Sequence, residues 1–311
     1  MGDVTTTAPA PVPTRPSFGP LAVVLGALSL SASSVLIVIA GTSTATTAFW
    51  RCFFAVVMLA PVLVREIRRH GMPGVRTIVS GLLAGLCLGA DFLLWNVSIG
   101  DVGAGIATVL VNMQIVLFPL VMWAVTRIAP PRRFLPALPV LLAAVALAGG
   151  LVGPAPEGDN PLRGTVLALA AALGYSGYLF FSRGAGVRSP RHFVTPVFFA
   201  TASACLLAAV VGVTTSGIQL ELSARAWIAL AFVALTGQAL GWLLVGWGLP
   251  RLAPAVSSAL LLLQPVAAEL LAVVVLGQVP TAVQIVGCVA VLATVWVLAR
   301  GRPRSPAPGD D

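Results

Sequence analysis

Arg51, Asp91 and Glu269 stand inside long apolar runs, and two primary amides, Gln114 and Gln264, stand about ten residues into two of those runs. In hydrocarbon a charged side chain costs roughly 2.5 to 3.5 kcal/mol at a helix centre, and an unpaired amide several kcal/mol, so each needs a partner or a function. Arg51 can neutralise Asp91 or Glu269 and leave the other carboxylate to bind a cation or exchange a proton. The competing reading is a structural Arg51–Asp91 pair that fixes one helix against the next, or an Arg51 that snorkels outward beside Trp50. Asp91, Trp95 and Ser98 fall at i, i+4 and i+7 and share one stripe of a helix. A carboxylate beside an indole suits an amine held in part by cation–π attraction, and it equally suits plain helix packing.

Further wall residues follow from spacing. Gln238 and Trp242 share a face, with Gly237 and Gly241 allowing close approach of a neighbour, and Tyr175 and Tyr178 pair at i, i+3. Aromatic spacing of this kind serves packing as readily as ligand contact. Glu269 lies five residues beyond Gln264, roughly 140° around an ideal helix, so the two face one cavity only if Pro265 distorts the turn. Asn112 is expected on the far side of Gln114, joining two helices. Trp123, Trp227, Trp247 and Trp296 fall towards the ends of runs, where interface anchoring suffices.

The elements that carry these residues are apolar helices. The 311 residues are 58% hydrophobic and 9% charged, with a mean hydropathy of +1.00, which excludes a soluble domain. Runs near 20 residues favour membrane helices over the strands of about ten residues found in barrels. The net charge of +8 comes entirely from arginine, spread over short loops, so the positive-inside bias explains it better than nucleic acid. Cys52, Cys87, Cys205 and Cys288 lie singly in apolar runs and form no disulfide or metal pattern. His70 and His192 sit in arginine-bearing loops, and no hydrolase, zinc or nucleotide motif occurs in a suitable context, so no enzyme, cofactor or metal is expected.

Spans are expected at about Pro20–Ala40, Thr44–Val64, Thr77–Ile99, Gly103–Val125 and Phe134–Val152. A second set is expected at Gly164–Phe181, Phe193–Val213, Ala226–Trp247, Pro254–Leu276 and Thr281–Ala299. The predicted fold is therefore all-α and integral to the membrane, with ten transmembrane helices as two five-helix repeats, 20–152 and 164–299. Around them lie a disordered tail (1–19), a linker (153–163) and a second tail (300–311). The repeats are legible: Asp91–Gly150 and Gly241–Arg300 match without a gap at an offset of 150, which lays Gln114 on Gln264, Pro130 on Pro280 and Thr108 on Ser258. Gly19 and Ser31 fall on Gly164 and Ser176 only with a different offset.

Alternate loops hold 15 arginines on one side and 2, Arg163 and Arg225, on the other, which puts both termini in the cytoplasm. Five helices per repeat then make the repeats inverted, with Gln114 and Gln264 approaching the midplane from opposite sides.

The chain also resembles the EamA-type members of the drug/metabolite transporter superfamily. The resemblance rests on Thr47-Ala-Phe-Trp-Arg51, Asp91-Phe-Leu-Leu-Trp95, the stretch Val102 to Gln114, and Gln264-Pro265. Members commonly close the fourth and ninth helices with a Leu-Gly-Glu-like segment before a proline. Here those segments read Val125-Thr-Arg-Ile-Ala-Pro130 and Leu276-Gly-Gln-Val-Pro280, without the glutamate. The resemblance implies a plasma-membrane secondary transporter that exports small polar metabolites such as amino acids by alternating access. Gln114, Gln264, Asp91, Trp95, Gln238, Trp242, Tyr175 and Tyr178 would serve the substrate, and Arg51, Asp91 and Glu269 would serve coupling, with protons as a candidate partner. The alternatives are a gradient-independent exchanger, a facilitator or a drug efflux protein, and more remotely an intramembrane enzyme or scaffold.

The arginine distribution predicts that single cysteines placed at Arg132 and at Arg163 react with a membrane-impermeant thiol reagent from opposite faces of the bilayer. Labelling of both from one face breaks the inverted arrangement.

Overall fold

The computed structural model describes residues 18–127, 134–152, 160–189, 191–215, 217–248 and 260–299. Residues 1–17 of the tail expected over 1–19, the tail from residue 300, most of the linker, Arg132, Arg251 and Ser258 lie outside the described residues. Among the described residues there are helices and no strand. In chain order they are α1 (Gly19–Ala40), α2 (Thr44–His70), α3 (Val75–Val102), α4 (Ala104–Val111), α5 (Gln114–Thr126), α6 (Phe134–Ala148), α7 (Pro161–Arg188), α8 (Val194–Thr214), α9 (Ala224–Ala234), α10 (Gly241–Gly248), α11 (Leu263–Leu276) and α12 (Ala282–Ala299). A π-helical turn, Leu235–Leu240, joins α9 to α10. Seven helical stretches are long and apolar enough to cross a membrane, and three shorter apolar helices accompany them.

Local signals set the helix ends. Ser43, Asn160 and Ser223 accept hydrogen bonds from backbone N–H groups three residues on and cap α2, α7 and α9. Arg68, Arg69 and His70 occupy the last turn of α2, where cations oppose the helix dipole. Gly103 separates α3 from α4 with φ of 89°, a conformation open to glycine and strained for other residues.

The two repeats pack into each other rather than side by side. α3 lies against α7 and α8, α2 against α8, α6 against α12, α1 against α10 and α11, and α5 against α7. Lipid is as apolar as leucine, so close contact comes from small residues. A Cβ added at Gly85 would collide with the carbonyl of Ala200, and one at Gly287 with the backbone N of Ala148.

Polar contacts close both ends. At one end the Glu66 carboxylate accepts from the N–H groups of Phe193, Val194 and Thr195 at 2.7, 2.8 and 2.8 Å, capping α8 from α2. His192 meets the Gly71 carbonyl there at 3.0 Å. At the other end Asp101 takes two hydrogen bonds from Arg163, at 2.9 and 2.6 Å, which ties α3 to α7. The Ala104 N–H donates to Gln278 Oε1 at 3.0 Å, so the amide standing where the resembled pattern has glutamate caps α4. The described arginines at helix ends divide between these ends, with Arg65, Arg68, Arg69, Arg76, Arg183, Arg188 and Arg191 at the Glu66 end, and Arg163 and Arg225 at the Asp101 end.

Replacing Gly287 with leucine is expected to force α12 away from α6 and to cost about 1–3 kcal/mol, as overpacking does. Gly100→Ala, where an added Cβ meets nothing within 4 Å, serves as the neutral control. Thermal unfolding in detergent reads the difference.

Candidate functional site

Both spans that carry the paired glutamines are broken. α4 ends at Val111, the N–H groups of Asn112 and Met113 turn back to the carbonyls of Val109 and Leu110, and α5 restarts at Gln114. In the second repeat Leu262 interrupts the helix and α11 starts at Leu263, next to Gln264. The breaks fall at the same offset as the glutamines. Each is approached by a serine from the first helix of the other repeat: Ser31 Oγ lies 2.7 Å from both the Gln264 carbonyl and the Ala27 carbonyl of its own helix, and Ser176 Oγ, which donates to the Ala172 carbonyl at 2.8 Å, lies 3.4 Å from the Gln114 carbonyl.

A buried pocket of about 60 Å³ lies between these breaks, lined by residues of both repeats that include Arg51, Asp91, Trp95, Gln114, Tyr175, Trp242 and Gln264. Arg51 is 2% exposed, Asp91 6% and Trp95 8%. The guanidinium is held from two directions. Its Nη2 donates to Gln238 Oε1 at 3.2 Å, and its Cζ lies 3.7 Å from the centre of the Phe92 ring. Gln238 in turn donates to Thr201 Oγ1 at 3.4 Å, and it sits in the π-helical turn, a distortion frequent at functional sites. Gly237 lets α1 come close, because a Cβ there would lie 2.6 Å from Ser33 Cβ, whereas it would only touch Arg51 Nη2 at 3.5 Å.

The pocket keeps polar atoms without partners. Arg51 Nε and Nη1, Asp91 Oδ1, Trp95 Nε1 and Gln114 Oε1 are all buried and unbonded. Such groups are costly unless something else binds them. Of the arrangements open to Arg51, an ion pair with Asp91 is not formed, since the salt bridge found among the described residues joins Asp101 to Arg163. What forms instead is a cation and an anion that face one small space with bonding capacity to spare. Tyr175 and Tyr178 stack with ring centres 5.8 Å apart, and Trp242 meets both rings edge-on.

The expected site residues separate into groups. Gln114, Gln264, Asp91, Trp95, Tyr175 and Trp242 line the pocket, while Gln238 and Tyr178 stand behind it. Glu269 is elsewhere: it packs against Gly105 and lines a different cavity of about 220 Å³ with Gln278 and Gln284. Asn112 differs from expectation. It lines the same pocket as Gln114, because the helix break removes the rotation that would have turned it away, and its Nδ2 donates to the Thr108 carbonyl at 2.7 Å. Sequence reasoning missed Phe92 and Ser33. Phe92 stands three residues before Trp95 on the stripe side of α3, and Ser33 belongs to the hydroxyl cluster Ser31-Ala-Ser33-Ser34 in an apolar helix, so both had a signal.

Comparison with known proteins fits this geometry. The model of the EamA-like transporter family matches residues 17–150 and again 162–300. A crystal structure at 19% sequence identity superposes with a TM-score of 0.58 over 92% of this chain and 98% of its own, which shows a shared fold. A search of curated proteins found no match.

Removing the amide that supports the guanidinium leaves a third buried nitrogen of Arg51 without a partner. Gln238→Leu is therefore expected to destabilise the protein by about 1.5–3 kcal/mol, the range for a hydrogen bond to a charged group. Gln284→Leu, in the other cavity, is the comparison, and the loss is read as a lower unfolding midpoint in detergent.

Proposed function

Because the chain belongs to the EamA-like transporter family and is a multi-pass helical membrane protein, we propose that it is a secondary transporter of small zwitterionic metabolites, amino acids foremost. The observation that carries this reading is the pair of unsatisfied charges in the central pocket. Arg51 keeps Nε and Nη1 without partners and Asp91 keeps Oδ1, and both residues line one pocket together with Phe92, Trp95, Tyr175 and Trp242. A free amino acid offers the matching groups. Its carboxylate would take charge-assisted hydrogen bonds from Arg51, and its ammonium group would meet Asp91 and the rings of Trp95 and Tyr175. Either charge left unpaired in a buried site is expensive, so a zwitterion that satisfies both is favoured over a ligand that satisfies one.

The pocket at about 60 Å³ holds roughly two waters' share of volume, which is too little for an amino acid. Binding therefore requires the walls to part. The broken helices at Asn112 and Leu262 and the π-helical turn at Gln238 are the places where they can do so without losing regular hydrogen bonding. Two such breaks at equivalent positions of two repeats support alternating access around a fixed centre. In this proposal the protein lies in the plasma membrane with both termini in the cytoplasm, the direction is export, and Asp91 exchanges a proton for the substrate ammonium group.

Flux in proteoliposomes across an amino-acid panel tests it. An inward-directed proton gradient is expected to accelerate efflux of the transported amino acid. Arg51→Gln is expected to reduce the flux by about 10–100-fold, as the loss of a charge-assisted contact worth roughly 1.5–3 kcal/mol implies. Asp91→Asn should remove the response to the gradient. Wild-type flux in the Asp91 variant excludes this residue from coupling, and counterflow indifferent to pH assigns the protein to gradient-independent exchange.

A further inference from the structure

We propose that the groove between α3, α5 and α7 at the arginine-rich end is a binding site for one anionic glycerophospholipid. The groove is a cavity of about 580 Å³, within the range of small-molecule sites. Its floor is apolar, with Val79, Leu83 and Phe181 among the lining, and its rim carries three arginines, Arg76, Arg183 and Arg188, with no carboxylate among the lining residues. Val79 and Leu83 are exposed on the outer surface of the bundle, so in a bilayer acyl chains fill this space. The rim decides which headgroup stands above them.

Two observations separate this rim from the arginine excess that any cytoplasmic face carries. Arg188 Nη1 donates to Ser80 Oγ at 3.0 Å, which ties the guanidinium across from α7 to α3 beside the groove. The carboxylate nearest in sequence to this end, Glu66, is fully engaged with the N–H groups at the start of α8, so it does not neutralise the rim. Arg76 and Arg183 form no ion pair among the described residues. Three guanidinium groups around one apolar groove, with no carboxylate in its lining, match a phosphodiester, which accepts paired hydrogen bonds from arginine, and basic pockets between cytoplasmic helix ends bind anionic lipids. The same helices carry Asp91, Trp95 and Tyr175, so a lipid seated here braces the walls of the central pocket.

The test uses the full chain, delipidated in a neutral detergent, with the unfolding midpoint and native mass spectrometry as readouts. Phosphatidylglycerol is expected to raise the midpoint by several degrees and to stay bound at one copy, while phosphatidylcholine and inorganic phosphate do neither. Arg76→Gln with Arg183→Gln, both exposed positions, should weaken phosphatidylglycerol binding by about 30-fold, and Arg225→Gln at the opposite end should change nothing. Leu83→Trp, which fills the floor and leaves the arginines intact, should weaken it as well. The proposal is overturned if the double arginine variant keeps the full shift, if phosphatidylcholine matches phosphatidylglycerol, or if inorganic phosphate alone reproduces the effect and so reveals a site for a free anion.

Discussion

The structure is organised by the need to keep a guanidinium inside a bundle whose surroundings offer no water. Arg51 is held there by Gln238, which stands in the π-helical turn, and by the Phe92 ring beneath its guanidinium. Even so, two of its nitrogens remain without partners. A purely structural arginine would be closed by a carboxylate. This one is tied to an amide and stacked on a ring, with two buried nitrogens left unbonded beside the pocket.

The same economy explains why the repeats interlock. Hydrophobicity does not drive helices together within lipid, so association depends on close backbone approach and on polar ties. Gly85 and Gly287 allow the approach, while the Glu66 cap and the Asp101–Arg163 pair tie opposite ends. Between these ends lie the breaks, each with its serine hydroxyl from the opposite repeat.

Glu269 illustrates the difference between a buried charge and a participating one. It is as anomalous in the sequence as Asp91, yet it faces a separate cavity with Gln278 and Gln284. Its rotation from Gln264 along α11 already pointed that way. The Pro265 distortion that could have turned it inward does not bring it to the central pocket.

Much could be read from residue types alone. Apolar runs near membrane length, the ungapped match that superposes Gln114 on Gln264, and the division of arginines between alternate loops require no coordinates, because hydropathy and charge act locally along the chain. The stripe of Asp91 and Trp95 was legible for the same reason, since an unbroken helix has a known periodicity. Asn112 was misplaced at the point where that periodicity stops. The hydroxyl that reaches each glutamine carbonyl beside a break comes from the other repeat, 62 residues away in one case and 233 in the other, which no local periodicity reveals. Whether Arg51 pairs with Asp91, with Glu269 or with neither was likewise undetermined by spacing. That choice belongs to Gln238 and Phe92, which come from different repeats and meet only when the two fold into one another.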